Sequence, residues 1–179
     1  MSRRIACFLA LMLACGFAAR LHAQADQNDP LTDDEVQAIR DNAIHPDDRI
    51  HLYMKFIAER LDAIRQVAGK HASPNEKLQV HDKLDEFTHL CDELQDNLDT
   101  YDSAHADIRK SLKDLVPASA KWADIVKTLP PDPSYEFSQK TAVEAAQSAA
   151  DEARQMATEQ DVYFDVHKKE RHGNGTGPG

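Results

Sequence analysis

The chain has 179 residues, about one domain's worth, with 31 acidic and 21 basic side chains, a formal charge of −10 and 41% apolar residues. That balance excludes a multidomain assembly and a fully disordered chain. With 6 Gly, 8 Pro and 6% aromatic residues among many strong helix formers, it also argues against collagen-like, all-β and doubly wound α/β folds.

Arg3 and Arg4 precede an apolar run from Ile5 to Ala19, followed by Ala23-Gln24-Ala25, the pattern of a secretory signal peptide with cleavage after Ala25. The expected location is therefore outside the cytoplasm, periplasmic or extracellular. Two variants of the route stay open: Ser2-Arg3-Arg4 resembles a twin-arginine signal, and Met12-Leu13-Ala14-Cys15 resembles a lipoprotein box. No later stretch approaches the roughly 20 apolar residues that a membrane span requires. Cleavage removes Arg3, Arg4 and Arg20 from the 21 basic residues and none of the 31 acidic ones, so the charge moves from −10 to −13. Nucleic acid and anionic membrane are then poor partners, and another protein or a cationic partner is the better expectation. Cleavage also removes Cys7 and Cys15, leaving Cys91 alone and no intramolecular disulfide.

Residues 26–31 read as a disordered start, 32–172 as one helical domain, and 173–179 as a flexible Gly-rich tail. Thr32 followed three residues on by Glu35 predicts a capping box, opening a helix whose apolar stripe is Val36, Ile39 and Ala43. His45-Pro46 ends it and begins the next, in which Ile50, Tyr53, Met54, Ile57, Leu61, Ile64 and Val67 recur at three- and four-residue steps up to Gly69. Ser73-Pro74-Asn75-Glu76 combines an N-cap, a proline in the first turn and a second capping box.

From there Val80, Leu84, Phe87, Cys91, Leu94, Leu98, Tyr101, His105, Ile108, Leu112 and Leu115 alternate steps of four and three. That pattern predicts one coiled-coil-like helix, continuous from Leu78 to Leu115. Pro117 should break or kink the rod, with a shorter helix over 118–128, and Leu129-Pro130-Pro131-Asp132-Pro133 should turn the chain. The last helix, about Tyr135 to Lys169, has a thin stripe of Val143, Ala146, Ala150, Ala153, Ala157 and Phe164. The fold class is all-α: an elongated antiparallel bundle of three rods, up-down-up, with coiled-coil-like heptad packing. A compact four-helix bundle, with 118–129 folding back, is the alternative.

Between Lys83 and Arg109 no basic residue occurs, and Asp92, Asp96, Asp99, Asp102 and Asp107 form a candidate acidic interaction surface. Its competing explanation is interhelical pairing, since the Gly69–Ser73 turn should bring Arg49, Lys55 and Arg60 opposite residues 84–95. His105, at a heptad core position, is the candidate pH-sensitive residue: buried and neutral, it would weaken the fold in acid. Glu86 with His89, and Asp102 with His105, repeat the local element of di-metal bundles, but both lie on one predicted helix, so no metal site is assigned. No catalytic motif is present, no cofactor is expected, and the chain reads as a nonenzymatic interaction, scaffold or chaperone-like protein. The alternative is a metal- or haem-binding bundle, with Met54 and His167 as an example of a haem pair. A homo-oligomer through the heptad seam also stays open.

Leu31-Thr32-Asp33-Asp34-Glu35 is similar to the LTxxQ helix start of periplasmic stress chaperones, with Glu in place of Gln. The similarity covers five residues, occurs once, and is accounted for by the capping box, so it implies no membership.

Overall fold

The computed structural model describes residues 30–69 and 71–167. The expectations for the signal segment, for residues 26–29 and for the tail after 167 lie outside them. The described residues form an all-helical bundle of five helices: α1 (Asp33–Asp41), α2 (Pro46–Val67), α3 (Pro74–Ser103), α4 (Arg109–Lys127) and α5 (Glu136–Val166). None is long and apolar enough to cross a membrane.

Both capping boxes form. Thr32 N–H donates to Glu35 Oε2 at 2.7 Å while Glu35 N–H donates to Thr32 Oγ1 at 3.3 Å, and Ser73 with Glu76 repeats the exchange at 2.7 and 3.3 Å. Each box satisfies two amides that the helix itself leaves unpaired. Pro30 and Leu31 do not belong to a disordered start: Arg60 donates to the Pro30 carbonyl at 2.7 Å, and Leu31 packs against the core.

The predicted long rod is interrupted. α3 stops at Ser103, and His105 takes a left-handed backbone with φ 51°. His105 N–H donates to the Asp102 carbonyl and Ala106 N–H to the Tyr101 carbonyl, both at 2.9 Å. This is a Schellman C-cap with histidine where glycine is usual. His105 is accordingly exposed rather than on the core seam. The heptad count runs through it because 101, 105 and 108 keep the spacing, yet the chain reverses between the last two. Pro117 does not end a helix either. α4 continues through it to Lys127, although Pro117 has no N–H to give the Lys113 carbonyl.

After the turn, Gln160 of α5 takes over the loose backbone. Its Oε1 accepts from Ile108 N–H at 3.1 Å and its Nε2 donates to the Ala106 carbonyl at 2.9 Å, in a buried position. Asp47 in the first turn of α2 caps α4 from outside, accepting from Ser111 N–H at 3.1 Å. The starts of α2 and α4 thus lie together, with the ends of α3 and α5 beside them. At the opposite end Lys77, near the start of α3, pairs with Asp132 just before α5 at 2.6 Å. There Tyr135 donates to the Pro130 carbonyl at 2.6 Å and Gln139 to the Val126 carbonyl at 2.9 Å, fixing the α4–α5 connection. Around the bundle the neighbours are α2 with α3, α3 with α5, α5 with α4, and α4 with α2. Consecutive α3 and α4 therefore stand on a diagonal.

The core follows the periodicity. Val80, Leu84, Phe87, Cys91, Leu94, Leu98, Ile108, Leu112 and Leu115 are all buried, joined by Leu90 beside the seam. These side chains lie inside the monomer. On α5 the buried stripe is Ala142, Ala146, Ala149, Ala153, Met156, Gln160 and Phe164, whose small residues allow close approach to α3 and α4.

Candidate functional site

The acidic positions separate once the chain reverses at His105. Asp92, Asp96 and Asp99 lie exposed on one side of α3, spaced four and three apart. Asp102, half-buried, lines a cavity of about 230 Å³ with His105, Glu159, Gln160, Tyr163 and Phe164. Asp107 does not share this surface. Its carboxylate accepts from Arg109 Nε and Nη2 at 2.7 and 2.6 Å, and Arg109 lies over the Phe164 ring at 4.8 Å.

α5 completes the face with residues the sequence reading passed over. Gln95 donates from Nε2 to Ser148 Oγ at 2.9 Å and to Glu152 Oε2 at 2.7 Å, which seats the Glu152 carboxylate beside α3. Burial pushes the Glu152 carboxyl up, Asp99 and Asp96 add to this, and the Gln95 hydrogen bond opposes it. Asp92 is likewise raised, by burial first and then by Asp96, against the influence of His89. Burial leads both shifts and the neighbouring carboxylates add to it, so negative charge on this surface is not fully neutralised locally. Residues 84–103 of α3 and 141–153 of α5 contain no Lys or Arg. In the sequence, α5 signals its part of this face through Glu144, Glu152 and Glu159 at steps of eight and seven, beside the more prominent alanine stripe.

The same face of α5 carries exposed apolar side chains at both ends. Phe137, Glu144, Ser148, Gln155, Glu159, Val162 and Val166 share one helical side by spacing, and Phe137 (81%), Val162 (63%) and Val166 (73%) are open to solvent. Below them Tyr163 is stacked between His105 and His167, at 4.7 and 4.5 Å between ring centroids.

The expected pairing from α2 holds for Arg60, whose Nε lies 2.8 Å from Glu86, whereas Lys55 pairs with Glu59 on its own helix. Arg60 also forms a two-pronged contact with Glu35, at 2.9 and 2.8 Å. Burial would raise the Glu35 carboxyl, but the Arg60 hydrogen bond and charge, with the Thr32 amide, hold it below the ordinary range.

Among the described residues no group of three His, Cys, Asp or Glu side chains could hold a metal. Met54 is half-buried against the core on α2, while His167 sits at the exposed end of α5, across the bundle diagonal. Cys91 is buried and its thiol is pushed up by burial and by Asp92, which keeps it protonated. The Ser111 and Ser119 hydroxyls donate to the carbonyls three residues earlier, those of Ile108 and Val116. Neither a protein-family model, nor a curated protein, nor a solved structure matches this chain.

Proposed function

We propose that this protein is an exported, nonenzymatic helical bundle that acts by binding another protein, as a scaffold or chaperone-like factor, through the α3–α5 face. The observation that carries the reading is the carboxylate strip Asp92, Asp96, Asp99 and Glu152, with Asp102 and Glu159 beyond it and no lysine or arginine interposed. The partner it suits is a cationic segment with apolar side chains near its ends, which would meet Phe137 on one side and Val162 and Val166 on the other. The α3 seam is read as heptad packing of the coiled-coil kind, spent on the protein's own core, so the partner surface is placed on the outer face.

The test is a photocrosslinking residue at Asp96, compared with one at Lys121 on the diagonal helix, in the native envelope. Crosslinks from position 96 to a basic protein, weakened by salt and by Asp92→Asn with Asp99→Asn, support the reading. Equal crosslinking from both positions, no crosslink at position 96, or a stoichiometric metal or haem in the purified protein would overturn it.

A further inference from the structure

The charged contacts at the start of α1 stand beside an apolar set. Ile50, Tyr53, Ile57, Leu61 and Ile64 form the stripe that α2 turns to the core. Phe56 is rotated about 100° of helix from Ile57, off that stripe, and yet is only 3% exposed. Its own side of α2 is marked by Arg60, one turn on, which reaches Glu35 of α1 and Glu86 of α3.

The contacts Arg60 to Glu86 and Tyr53 to Glu93 fix an antiparallel register between α2 and α3. In that register Phe56 falls opposite Leu90, which is buried beside the α3 seam. The short connection over 42–45 makes α1 antiparallel to α2. Ile39, one turn after Glu35, therefore falls opposite the residue one turn before Arg60, again Phe56. Ile39, Phe56 and Leu90 thus form a small apolar layer at the margin of the core, with Glu35, Arg60 and Glu86 as a charged layer next to it.

These two layers carry much of the hold on α1. Its main helix partner is α2, whereas every other helix packs on at least two neighbours. Arg60 also ties down the Pro30 carbonyl just before the helix. With nine residues, α1 is too short to stay helical alone, so it keeps its form only while docked.

We propose that α1 is an acid-released strap: protonation of Glu35 frees it from Arg60, the helix detaches, and the apolar surface of Phe56 and Leu90 is uncovered while the four-helix bundle stays folded. The charged groups facing Glu35 are Arg60 from α2 and, across Arg60, Glu86 from α3. Glu59 and Lys83 flank these on their own helices, and Asp33 and Asp34 share the first turn of α1. Burial would raise the Glu35 carboxyl, but Arg60 and Thr32 hold it below its ordinary value. The docked state therefore takes up the proton less readily than the released one, and acid favours release. Glu152 and Asp92 in the bundle carry the opposite sign: burial first and neighbouring carboxylates second raise them, so their protonation favours the folded form. Asp132, held at about 2 by Lys77 and Ser134, is acid-labile like Glu35. Its connection is fixed to the bundle by Tyr135 and Gln139 as well, so loss of that pair frees no element. The uncovered surface lies on the α2 side of α3, away from the α3–α5 face.

The test is amide exchange of the purified protein at pH 7 and pH 3, each referred to intrinsic rates, with the neutral dye Nile red as a probe of apolar surface. Amides from Gln37 to Asp41 should lose about tenfold or more of their protection at pH 3, and those of Leu84 and Leu94 less than about threefold. Nile red fluorescence should rise with the loss. Glu35→Gln should leave α1 less protected already at pH 7 and reduce its further loss in acid to less than about threefold. Ile39→Ser, which keeps the charged layer, should release α1 and bind Nile red at pH 7. The proposal is overturned by α1 protection that is the same at both pH values, by equal losses in α1 and α3, by an undiminished acid response in Glu35→Gln, or by release without dye binding. Should Ile39→Ser unfold the whole chain, exchange in the parent and in Glu35→Gln still decides.

Discussion

The guanidinium of Arg60 is bound by Glu35 on two prongs, approached by Glu86, and donates to the Pro30 carbonyl, with both the Arg60 and Glu35 side chains only 11% exposed. Removing Glu35 leaves a largely desolvated cation with part of its shell. Glu35→Ala should therefore cost about 3 kcal/mol in denaturant titration, the lower end for breaking a buried pair, because Glu86 remains. Because the Glu35 carboxyl is held below its ordinary value, its contribution is present above the unfolded pKa, near 4.3. It is lost as pH falls through the folded value. Glu35→Gln should lose less stability than the parent between pH 7 and pH 3, and an equal loss would show that the pair is not the acid-labile contact. His105 poses a different problem, since its cost lies in the backbone. With φ 51°, a Cβ is disfavoured by about 1–2 kcal/mol, partly offset here by stacking on Tyr163. His105→Ala removes the stack and keeps the Cβ, whereas His105→Gly removes both. The alanine variant should be the less stable of the two by about 1 kcal/mol, measured by thermal or urea unfolding.

At the level of elements, the joint between α3 and α4 depends on Gln160, which serves Ile108 N–H and the Ala106 carbonyl at once. Gln160→Leu keeps the bulk but unpairs two backbone groups, and should cost about 2–4 kcal/mol. Amide exchange should accelerate at Ile108, while Leu94 in the middle of α3 stays protected to the global limit. A uniform change across both would mean the joint does not open separately. This joint is also where the sequence misleads. The caps at Thr32 and Ser73 were legible because their side chains act on their own helices, and the core from Val80 to Leu115 was legible because burial follows the period. The break at 104–108 has neither glycine nor proline, and its partners are Gln160, fifty-two residues from Ile108, and Asp47, sixty-four from Ser111. No local pattern reports such bonds. The acidic surface was legible on α3 for the same reason its α5 half was not: Asp92, Asp96 and Asp99 stand out within one helix, while Glu152 acquires its role only by lying opposite Gln95.

Over the whole molecule, the acidic α3–α5 face works against folding at neutral pH. Glu152 and Asp92 are raised, by burial first and by neighbouring carboxylates after it, so they favour the folded state as pH falls toward 4, opposite in sign to Glu35, and at neutral pH the burial of their charge, with some repulsion, works against the bundle. Asp96→Asn with Asp99→Asn should raise stability at low salt by a few tenths of a kcal/mol, and the gain should shrink in high salt. A loss of stability, or a gain indifferent to salt, would mean these carboxylates are neutralised within the protein. The diagonal placement of α3 and α4 has a further consequence for how the chain reaches this state. The extensive helix contacts between sequence neighbours are α2 with α3 and α4 with α5, so each half is a helical hairpin closed by a short connection, and the hairpins meet through α3 with α5 and α2 with α4. Hairpins can form early because their contacts are local in sequence, and the slower event is their mutual docking. A chain cut between Ala104 and Ala106 should therefore reassemble from two separately made pieces, 30–104 and 105–167. Their association should be second order in concentration and far weaker when Gln160 is replaced by leucine. Two pieces that remain apart at high concentration, by circular dichroism and sedimentation, would show that the covalent crossing itself is required to bring the hairpins together.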